Sequence, residues 1–431
     1  MSVPVFKPPA MSTATGHWTP EGPIWDAKRE VFWYTDIEGG TLHKYSPAKG
    51  VTTTYVIAAQ KGDKDGQMIG GTTALNSDGS LIVILEDVDK HGAPCKHSGV
   101  CYFNPDANNG QGSLLALPNT VSDTELAKPQ NRPNDSTIIT IKGDTGKPNR
   151  KLMAYGTMSK TWNDPAKVHN GAIKPEGGFY VLDEDMMSHR LKFKGDIYPG
   201  TVISNGLADG GVNPDGTTTL YFSETVDAKD SAGIGDHSSL RVYKGKLDPN
   251  SWTVNDIKVV AENTQLLKDS GAGEVRPDGA NMVVYKGKPT YGIAGLGTGE
   301  IRLFDAENDQ HVATIQLPDD VKNVTKFAVA DDGRIFVTTM DFGYSNPEKK
   351  GTDGRNGHTF LLAPIEDITA HPAASPQTSY YGMQAMKEYY ATTKEKPTTS
   401  FETPLPPPST RIALRNAKVG RVIAEQQMGV I

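Results

Sequence analysis

Four widely separated residues offer carboxylate or amide oxygens in similar local sequences. Each stands just ahead of a strand-like run and is followed closely by Gly, Pro or Asp: Glu21 in EGP, Asn134 in NDS, Asn205 in NGL and Asp278 in DGA. Oxygen ligands without sulfur and without an obligatory histidine suit a hard divalent cation. The set therefore predicts one divalent cation, with Ca²⁺ favoured and Mg²⁺, Mn²⁺ or Zn²⁺ as other candidates. The alternative is that these residues only form turns, although Glu is a poor turn-former.

The elements that would bring these residues together form an internal repeat. A polar or Gly-containing lead, a strand-like run, a turn, a second apolar run, a loop and a third run with aromatic residues recur six times. Turn signals such as SDGS, NPDG, KGK and DDGR separate the first and second runs, as in antiparallel hairpins. The second runs begin near Phe32, Leu81, Leu152, Leu220, Thr290 and Ile335. This pattern predicts an all-β, six-bladed β-propeller, because a two-sheet sandwich does not explain six copies in phase.

In a propeller, the first strand of each blade lines the central channel, so residues at its head converge at one rim. The six positions in phase are Glu21, Gly70 or Gly71, Asn134, Asn205, Asp278 and Thr325. Glycine near these positions would permit the close backbone approach that a crowded axis needs. We therefore expect the four oxygen-bearing side chains to meet at the mouth of the channel.

The chain divides into a propeller over residues 1–365 and a C-terminal extension over residues 366–431. The extension contains the Pro-rich stretch PTTSFETPLPPPSTR, and we expect it to pack on the propeller or at an oligomer contact, which would make a homodimer. Its last twenty residues read either as a closing strand or as a dimer contact.

Composition limits the partners and the location. The net charge is −7 with both signs interspersed and no basic patch, which disfavours nucleic-acid binding. No run approaches the roughly 18 apolar residues of a membrane helix. The N-terminus lacks the apolar region of a secretory signal, so we expect a cytoplasmic protein that does not bind membranes.

Several segments, in this order, resemble the family of six-bladed propellers that includes gluconolactonase, senescence marker protein (regucalcin) and luciferin-regenerating enzyme. They are EGPIWDAKREVFWYTDIEGGTLHKYSP, RPNDSTI with YGTMSK, GGFYVLDED, ISNGLADG, RPDGANMVVYKGK and FAVADDGRIFVTT, which span about residues 16–364. The resemblance implies a calcium-type metal held by Glu21, Asn205 and Asp278, and it implies that Asp278 doubles as general base. It also implies that Arg132 and Asn134 face the substrate, with Asn134 near the metal.

The chain departs from the family pattern in two places near this site. Ser136 stands where the family usually has Gly, and Ser159 follows GTM where an acidic residue is common. These departures change the surroundings of the substrate, so the expected ligand is a small lactone or a related metabolite.

A divalent cation beside a carboxylate suits hydrolysis of a cyclic ester, with the metal polarising the carbonyl and Asp278 activating water. No G-x-S-x-G nucleophile motif competes with this chemistry. The alternatives left open are an esterase or phosphotriesterase, a lyase or isomerase, and a non-enzymatic calcium-binding scaffold. Outside the site, Asp36 and Glu224 are expected at solvated hairpin ends.

Overall fold

A computed structural model describes most of the repeat region and little of the C-terminal extension. The described residues are 3–17, 19–37, 40–56, 68–75, 80–86, 99–116, 131–143, 147–159, 177–183, 188–195, 201–227, 241–262, 276–341 and 354–371. They belong to the compact unit Met1–Lys396, and a second unit, Pro397–Ile431, lies outside them. Regular structure in this part of the chain is almost entirely β, with one short helix, α1 (Ala107–Gly110).

The strands of the first half begin with two N-terminal strands and continue through three blades. The N-terminal strands are β1 (Val5–Phe6) and β2 (Ala10–Ala14). The first blade consists of β3 (Pro20–Asp26), β4 (Val31–Asp36), β5 (Thr41–Ser46) and β6 (Val51–Val56). The second blade consists of β7 (Met68–Leu75), β8 (Leu81–Glu86), β9 (Gly99–Asn104) and β10 (Ser113–Ala116). The third consists of β11 (Asn131–Ile141), β12 (Arg150–Ser159), β13 (Gly178–Leu182) and β14 (Ser188–Arg190).

The second half continues the pattern after a two-residue strand, β15 (Lys192–Phe193). The fourth blade consists of β16 (Thr201–Val212), β17 (Thr218–Asp227), β18 (Arg241–Asp248) and β19 (Thr253–Glu262). The fifth consists of β20 (Arg276–Tyr285), β21 (Lys288–Leu296), β22 (Glu300–Asp305) and β23 (His311–Gln316). The sixth contains β24 (Val324–Val329), β25 (Ile335–Thr339) and β26 (Thr359–Leu362), and β27 (Ile368–Ala370) follows.

The innermost strands close into a ring, which confirms the predicted six-bladed propeller. Each of β3, β7, β11, β16 and β20 contacts the innermost strand of the next blade, and β24 contacts β3. The sixth blade takes its fourth strand from the N-terminus, because β2 pairs antiparallel with β26. A closing strand therefore comes from residues 10–14. The last twenty residues, which read either as a closing strand or as a dimer contact, lie outside the described part.

Three of the predicted hairpin signals form tight turns. In KGK, Lys286 and Gly287 both have positive φ, 52° and 75°, as the commonest two-residue hairpin turn requires. Gly216 of NPDG and Gly333 of DDGR also have positive φ, 88° and 82°. The SDGS signal falls largely on residues 76–79, which lie outside the described residues.

Apolar and aromatic side chains fill the space between neighbouring blades. Phe32 of the first blade stacks on Phe336 of the sixth with ring centroids 4.9 Å apart. Tyr221 of the fourth blade stacks on Tyr291 of the fifth at 4.2 Å. Burial of such rings removes large apolar areas from water, and this holds the blades in fixed relative positions. Within the described residues there is no helix with the length and apolar character to cross a membrane.

Candidate metal centre

The four predicted oxygen-bearing residues lie on the innermost strands of four blades, and all four are buried. Their side chains belong to Glu21 on β3, Asn134 on β11, Asn205 on β16 and Asp278 on β20, each exposed by 5% or less. The structure therefore brings together carboxylates and amides that are far apart in sequence. Arg132 is the second residue of β11, two positions before Asn134, but its side chain lies outside the described part of the structure.

A break in strand pairing surrounds each of these positions. The antiparallel register shifts between Glu21 and Ile24, between Pro133 and Ser136, between Asn205 and Ala208, and between Pro277 and Ala280. The register of the other two innermost strands, β7 and β24, shifts at the equivalent positions, around Gly70–Gly71 and Thr325. A β-bulge leaves residues unpaired, bends the strand and re-aims side chains. The bulges are the local structure that turns these side chains toward the centre.

Glycines beside the bulges allow the blades to approach each other closely. Gly206 has a φ of +62°, and a Cβ atom there would lie 2.0 Å from Ser223 Oγ and 2.6 Å from the Asp278 carbonyl oxygen. Gly22 also has a positive φ, 57°. The third blade has no glycine at its bulge, and Ser136 stands there instead. In the fifth blade, a Cβ atom at Gly279 would lie 2.6 Å from the Thr325 carbonyl oxygen. The expected glycines therefore occur beside the bulges of the first, fourth and fifth blades, where a positive φ or a close approach requires them.

Direct contacts join the candidate ligands across blades. Asn205 Nδ2 donates a hydrogen bond to Asp278 Oδ1. Asn134 Nδ2 donates to the Ser204 carbonyl oxygen at 2.9 Å, immediately before Asn205. Glu21 Oε2 accepts a hydrogen bond from the Gly22 N–H at 2.9 Å. These bonds fix the orientation of all four polar side chains before any ligand binds.

The charged forms of Glu21 and Asp278 are disfavoured at the centre, as the raised pKa values of both groups indicate. Burial raises the pKa of Glu21 to about 8, and the nearby Asp135 carboxylate acts in the same direction, against the Gly22 N–H and the Lys326 ammonium. Burial raises the pKa of Asp278 well above its ordinary value, and Glu21 and Asp135 raise it further, against Asn205 and Lys326. Carboxylates so close in a buried site repel each other, so a bound cation would stabilise their charged forms.

Two members of this cluster, Asp135 and Lys326, were not predicted as site residues. Asp135 is 1% exposed, and its Oδ1 accepts hydrogen bonds from Lys326 Nζ and, at 2.7 Å, from the Ser136 N–H. Lys326 Nζ also donates to the Ser136 carbonyl oxygen at 2.7 Å. One sequence feature could have indicated this pair. Lys326 interrupts the apolar run VTKFAV at a position whose side chain is buried, and a buried lysine needs a partner.

Asp36 and Glu224 were expected at solvated hairpin ends, and this expectation is wrong. Asp36 is 2% exposed and Glu224 is fully buried. Asp36 is the last residue of β4 and Glu224 lies within β17, and surrounding protein covers both side chains. Asp36 accepts a hydrogen bond from the Thr19 N–H at 3.0 Å and pairs with His17 at 3.4 Å.

His17, Asp36 and His43 form a second buried cluster whose ligand atoms lie within 4.8 Å of one another, close enough for these residues to hold a metal ion. The ring nitrogens of the histidines contact hydroxyl groups, which belong to Tyr34, Thr41 and Thr54. With the bond from Thr19 to Asp36, this network anchors the chain just ahead of Glu21.

The donor set around Glu21 fits a divalent cation. Two buried carboxylates, of which Glu21 raises the pKa of Asp278, lie beside two oriented amides. Hard cations such as Ca²⁺ take carboxylate and amide oxygens as ligands. Glu21, Asn134, Asn205 and Asp278 would hold the ion.

Comparisons with known proteins agree with this fold and identify the family. Residues 19–341 match the family model described as SMP-30/Gluconolactonase/LRE-like region, so the chain belongs to this family. No curated protein sequence is significantly similar to this chain.

Among solved structures, a calcium-binding protein, regucalcin, from Agrobacterium tumefaciens str. C58 aligns with a TM-score of 0.58 and 19% identity, covering 86% of this chain and 98% of that chain. A luciferin-regenerating enzyme aligns with a TM-score of 0.57 and 17% identity, covering 86% of this chain and 99% of that chain. At these identities the similarity supports the fold alone.

Proposed function

We propose that this protein is a metal-dependent hydrolase that opens a small lactone. The observation that carries the proposal is the meeting of Glu21, Asn205 and Asp278, buried side chains from three blades, at one bulged rim of the propeller. Membership of the family that includes gluconolactonase supports the same type of reaction. A regucalcin of the same fold is described as calcium-binding, which supports Ca²⁺ as the cation.

Each residue has a distinct task in this proposal. Glu21, Asn134, Asn205 and Asp278 hold the cation, and Asn134 also faces the substrate. A bound divalent cation supplies Lewis acidity, which polarises the lactone carbonyl and stabilises the negative charge that develops on its oxygen. Arg132 and Asn134 orient ring oxygens or hydroxyl groups of the substrate.

Asp278 is the general base. Its carboxylate takes a proton from the water molecule that attacks the carbonyl carbon, and it returns the proton to the ring oxygen as the carbon–oxygen bond breaks. The product is the open hydroxy acid, so one water is consumed and no other reactant is needed. The bond from Asn205 holds the carboxylate of Asp278 in a fixed orientation for this transfer.

The proposal is tested by measuring turnover of an aldonolactone and of a phosphotriester, each with added Ca²⁺ and with EDTA. We expect lactone hydrolysis that requires the metal and is lost on chelation. Faster turnover of the phosphotriester would favour the esterase alternative. Metal binding without turnover of either substrate would reject hydrolysis and favour a lyase, an isomerase or a calcium-binding scaffold.

A further inference from the structure

Lys326 reaches from the innermost strand of the sixth blade to the third blade across the centre of the propeller. Its Nζ donates to the Asp135 carboxylate and, at 2.7 Å, to the Ser136 carbonyl oxygen. Lys326 is 4% exposed, so its ammonium group is almost completely removed from water. A buried charge persists only when it is paired and hydrogen-bonded, and these two acceptors meet that requirement.

The stem of Lys326 also packs on the turn that carries Asp278. A Cβ atom at Gly279 would lie 2.6 Å from both Cβ and Cγ of Lys326. Real side chains do not approach so closely, so the lysine stem lies directly against the backbone of Gly279. Lys326 therefore contacts the bulges of both the third and the fifth blades.

Asp135 extends this network to the fourth blade. Its Oδ2 accepts a hydrogen bond from the Leu207 N–H at 3.2 Å, two residues beyond Asn205. Asp135 itself follows Asn134 directly in the chain. The ion pair of Lys326 and Asp135 thus connects the turns that carry three of the four candidate ligands.

We infer that Lys326 is a positioning residue of the metal centre. Its ion pair with Asp135 and its packing on Gly279 hold the bulges of the third, fourth and fifth blades at the separation that cation binding needs. The inference rests on the proposed function, because it requires that the centre binds a divalent cation. Lys326 acts through its neighbours and is assigned no contact with the substrate.

The charge of Lys326 also suits a divalent ion. When ionised, Glu21, Asp135 and Asp278 carry three negative charges, and Lys326 compensates one of them, so a divalent cation balances the remainder. If Lys326 acted only by its charge, removing it would strengthen cation binding, because like charges repel. If Lys326 positions the ligands, removing it weakens binding. The direction of the change separates the two roles.

The test measures Ca²⁺ affinity of the full chain by isothermal titration calorimetry for the wild type and Lys326→Met. We expect binding to weaken by about 10- to 100-fold, as for other residues that orient metal ligands. At saturating Ca²⁺, kcat for the lactone should change much less than the metal affinity. The matched control is Lys244→Met, which removes a lysine that pairs with Asp309 away from the centre and should leave Ca²⁺ affinity unchanged.

Unchanged or tighter Ca²⁺ binding in a folded Lys326→Met variant would overturn the inference and leave the proposed function standing. A wild type that binds none of Ca²⁺, Mg²⁺, Mn²⁺ or Zn²⁺ would overturn both. If circular dichroism shows that Lys326→Met does not fold, Lys326→Gln takes its place. That variant also removes the positive charge but keeps a hydrogen-bond donor for Asp135, and unchanged or tighter Ca²⁺ binding in it would overturn the inference.

Discussion

Asn205 donates a hydrogen bond from Nδ2 to Oδ1 of Asp278, and this bond joins the innermost strands of the fourth and fifth blades. The backbone of Asp278 is held from the same side, because Ser223 Oγ donates to its carbonyl oxygen at 3.1 Å. The carboxylate is therefore oriented by the fold before substrate arrives. Preorganised groups of this kind need no rearrangement during the reaction, which favours both metal binding and proton transfer.

Replacing Asp278 with Asn should abolish lactone turnover. Loss of a general base typically costs about 10²- to 10⁴-fold in rate, and loss of a metal ligand adds to this. The fold should persist in EDTA, because the change removes one of several buried like charges and nearly preserves the side-chain shape. Steady-state kinetics with added Ca²⁺ and a thermal melt of the same samples measure both effects.

Asp209→Asn is the matched control for this experiment. Asp209 is also a buried aspartate on β16, but its carboxylate bonds the Thr140 N–H at 3.0 Å and the Thr140 hydroxyl at 2.7 Å, toward the other end of the strand. This variant should lose stability and keep its kcat. Full activity in Asp278→Asn would exclude Asp278 as the base.

Calcium should stabilise the folded protein through Glu21. A ligand that binds only the native state at 100 times its Kd adds about 2.7 kcal/mol to the free energy of unfolding. Thermal denaturation with Ca²⁺ and with EDTA should show this gain in the wild type and its loss in Glu21→Gln. In EDTA the variant should be at least as stable as the wild type, because the substitution removes a carboxylate that repels Asp278. An equal calcium effect in both proteins would remove Glu21 from the ligand set.

The repeat pattern alone was sufficient to predict the architecture and the rim at which Glu21 and Asp278 meet. Hairpin turns and strand alternation are local signals, and they recur at a fixed phase in all six blades. The phase also identified Gly70–Gly71 and Thr325, where the structure has bulges without an acidic or amide side chain. Local sequence was therefore sufficient to identify the six equivalent positions on the innermost strands.

The cross-blade contacts could not be predicted from local sequence. Lys326 and Asp135 are 191 residues apart, and their pairing depends on how the sixth and third blades face each other across the channel. The burial of Asp36 also depends on residues outside its hairpin, because His17 and Thr19, which precede β3, contact its carboxylate. The use of β2 to complete the sixth blade also depends on ring closure, which no short segment reveals.

Gly206→Ala should destabilise the protein and disturb the centre. The new Cβ would meet Ser223 Oγ and the Asp278 carbonyl oxygen, and the residue would also be held at a φ of +62°. Left-handed strain and overpacking together cost about 2–5 kcal/mol. Urea denaturation measures the loss of stability, and calorimetry measures the accompanying loss of Ca²⁺ affinity.

A substitution at Gly211, on the same strand, distinguishes the effect of backbone strain from that of side-chain crowding. Gly211 has a φ of +86°, but nothing lies within 4 Å of a Cβ atom built there. Gly211→Ala should therefore show only the strain, about 1–2 kcal/mol, with normal Ca²⁺ affinity. Equal losses in the two variants would mean that close approach of the fourth and fifth blades is not needed at Gly206.

Protonation of Asp36 should lower the stability of the protein at acidic pH. Burial disfavours its charge, but the hydrogen bond and charge of His17, the Thr19 N–H and the charge of His43 together lower the pKa of Asp36 to about 2. A carboxyl whose pKa is lower in the folded state stabilises the fold above its unfolded pKa, near 3.8, and this contribution disappears as the pH falls toward 2. The shift corresponds to about 2 kcal/mol.

Urea denaturation of the wild type and Asp36→Asn in EDTA, from neutral pH to about pH 2, tests this. The variant should be less stable by about 2 kcal/mol at neutral pH, and the difference should shrink as the pH falls below about 4. The exposed Asp256, which pairs with Lys246 at the surface, provides the control, because surface ion pairs contribute little. Asp256→Asn should follow the wild type at every pH. A constant gap between wild type and Asp36→Asn down to about pH 2 would show that His17 and Thr19 do not hold Asp36 in its charged form.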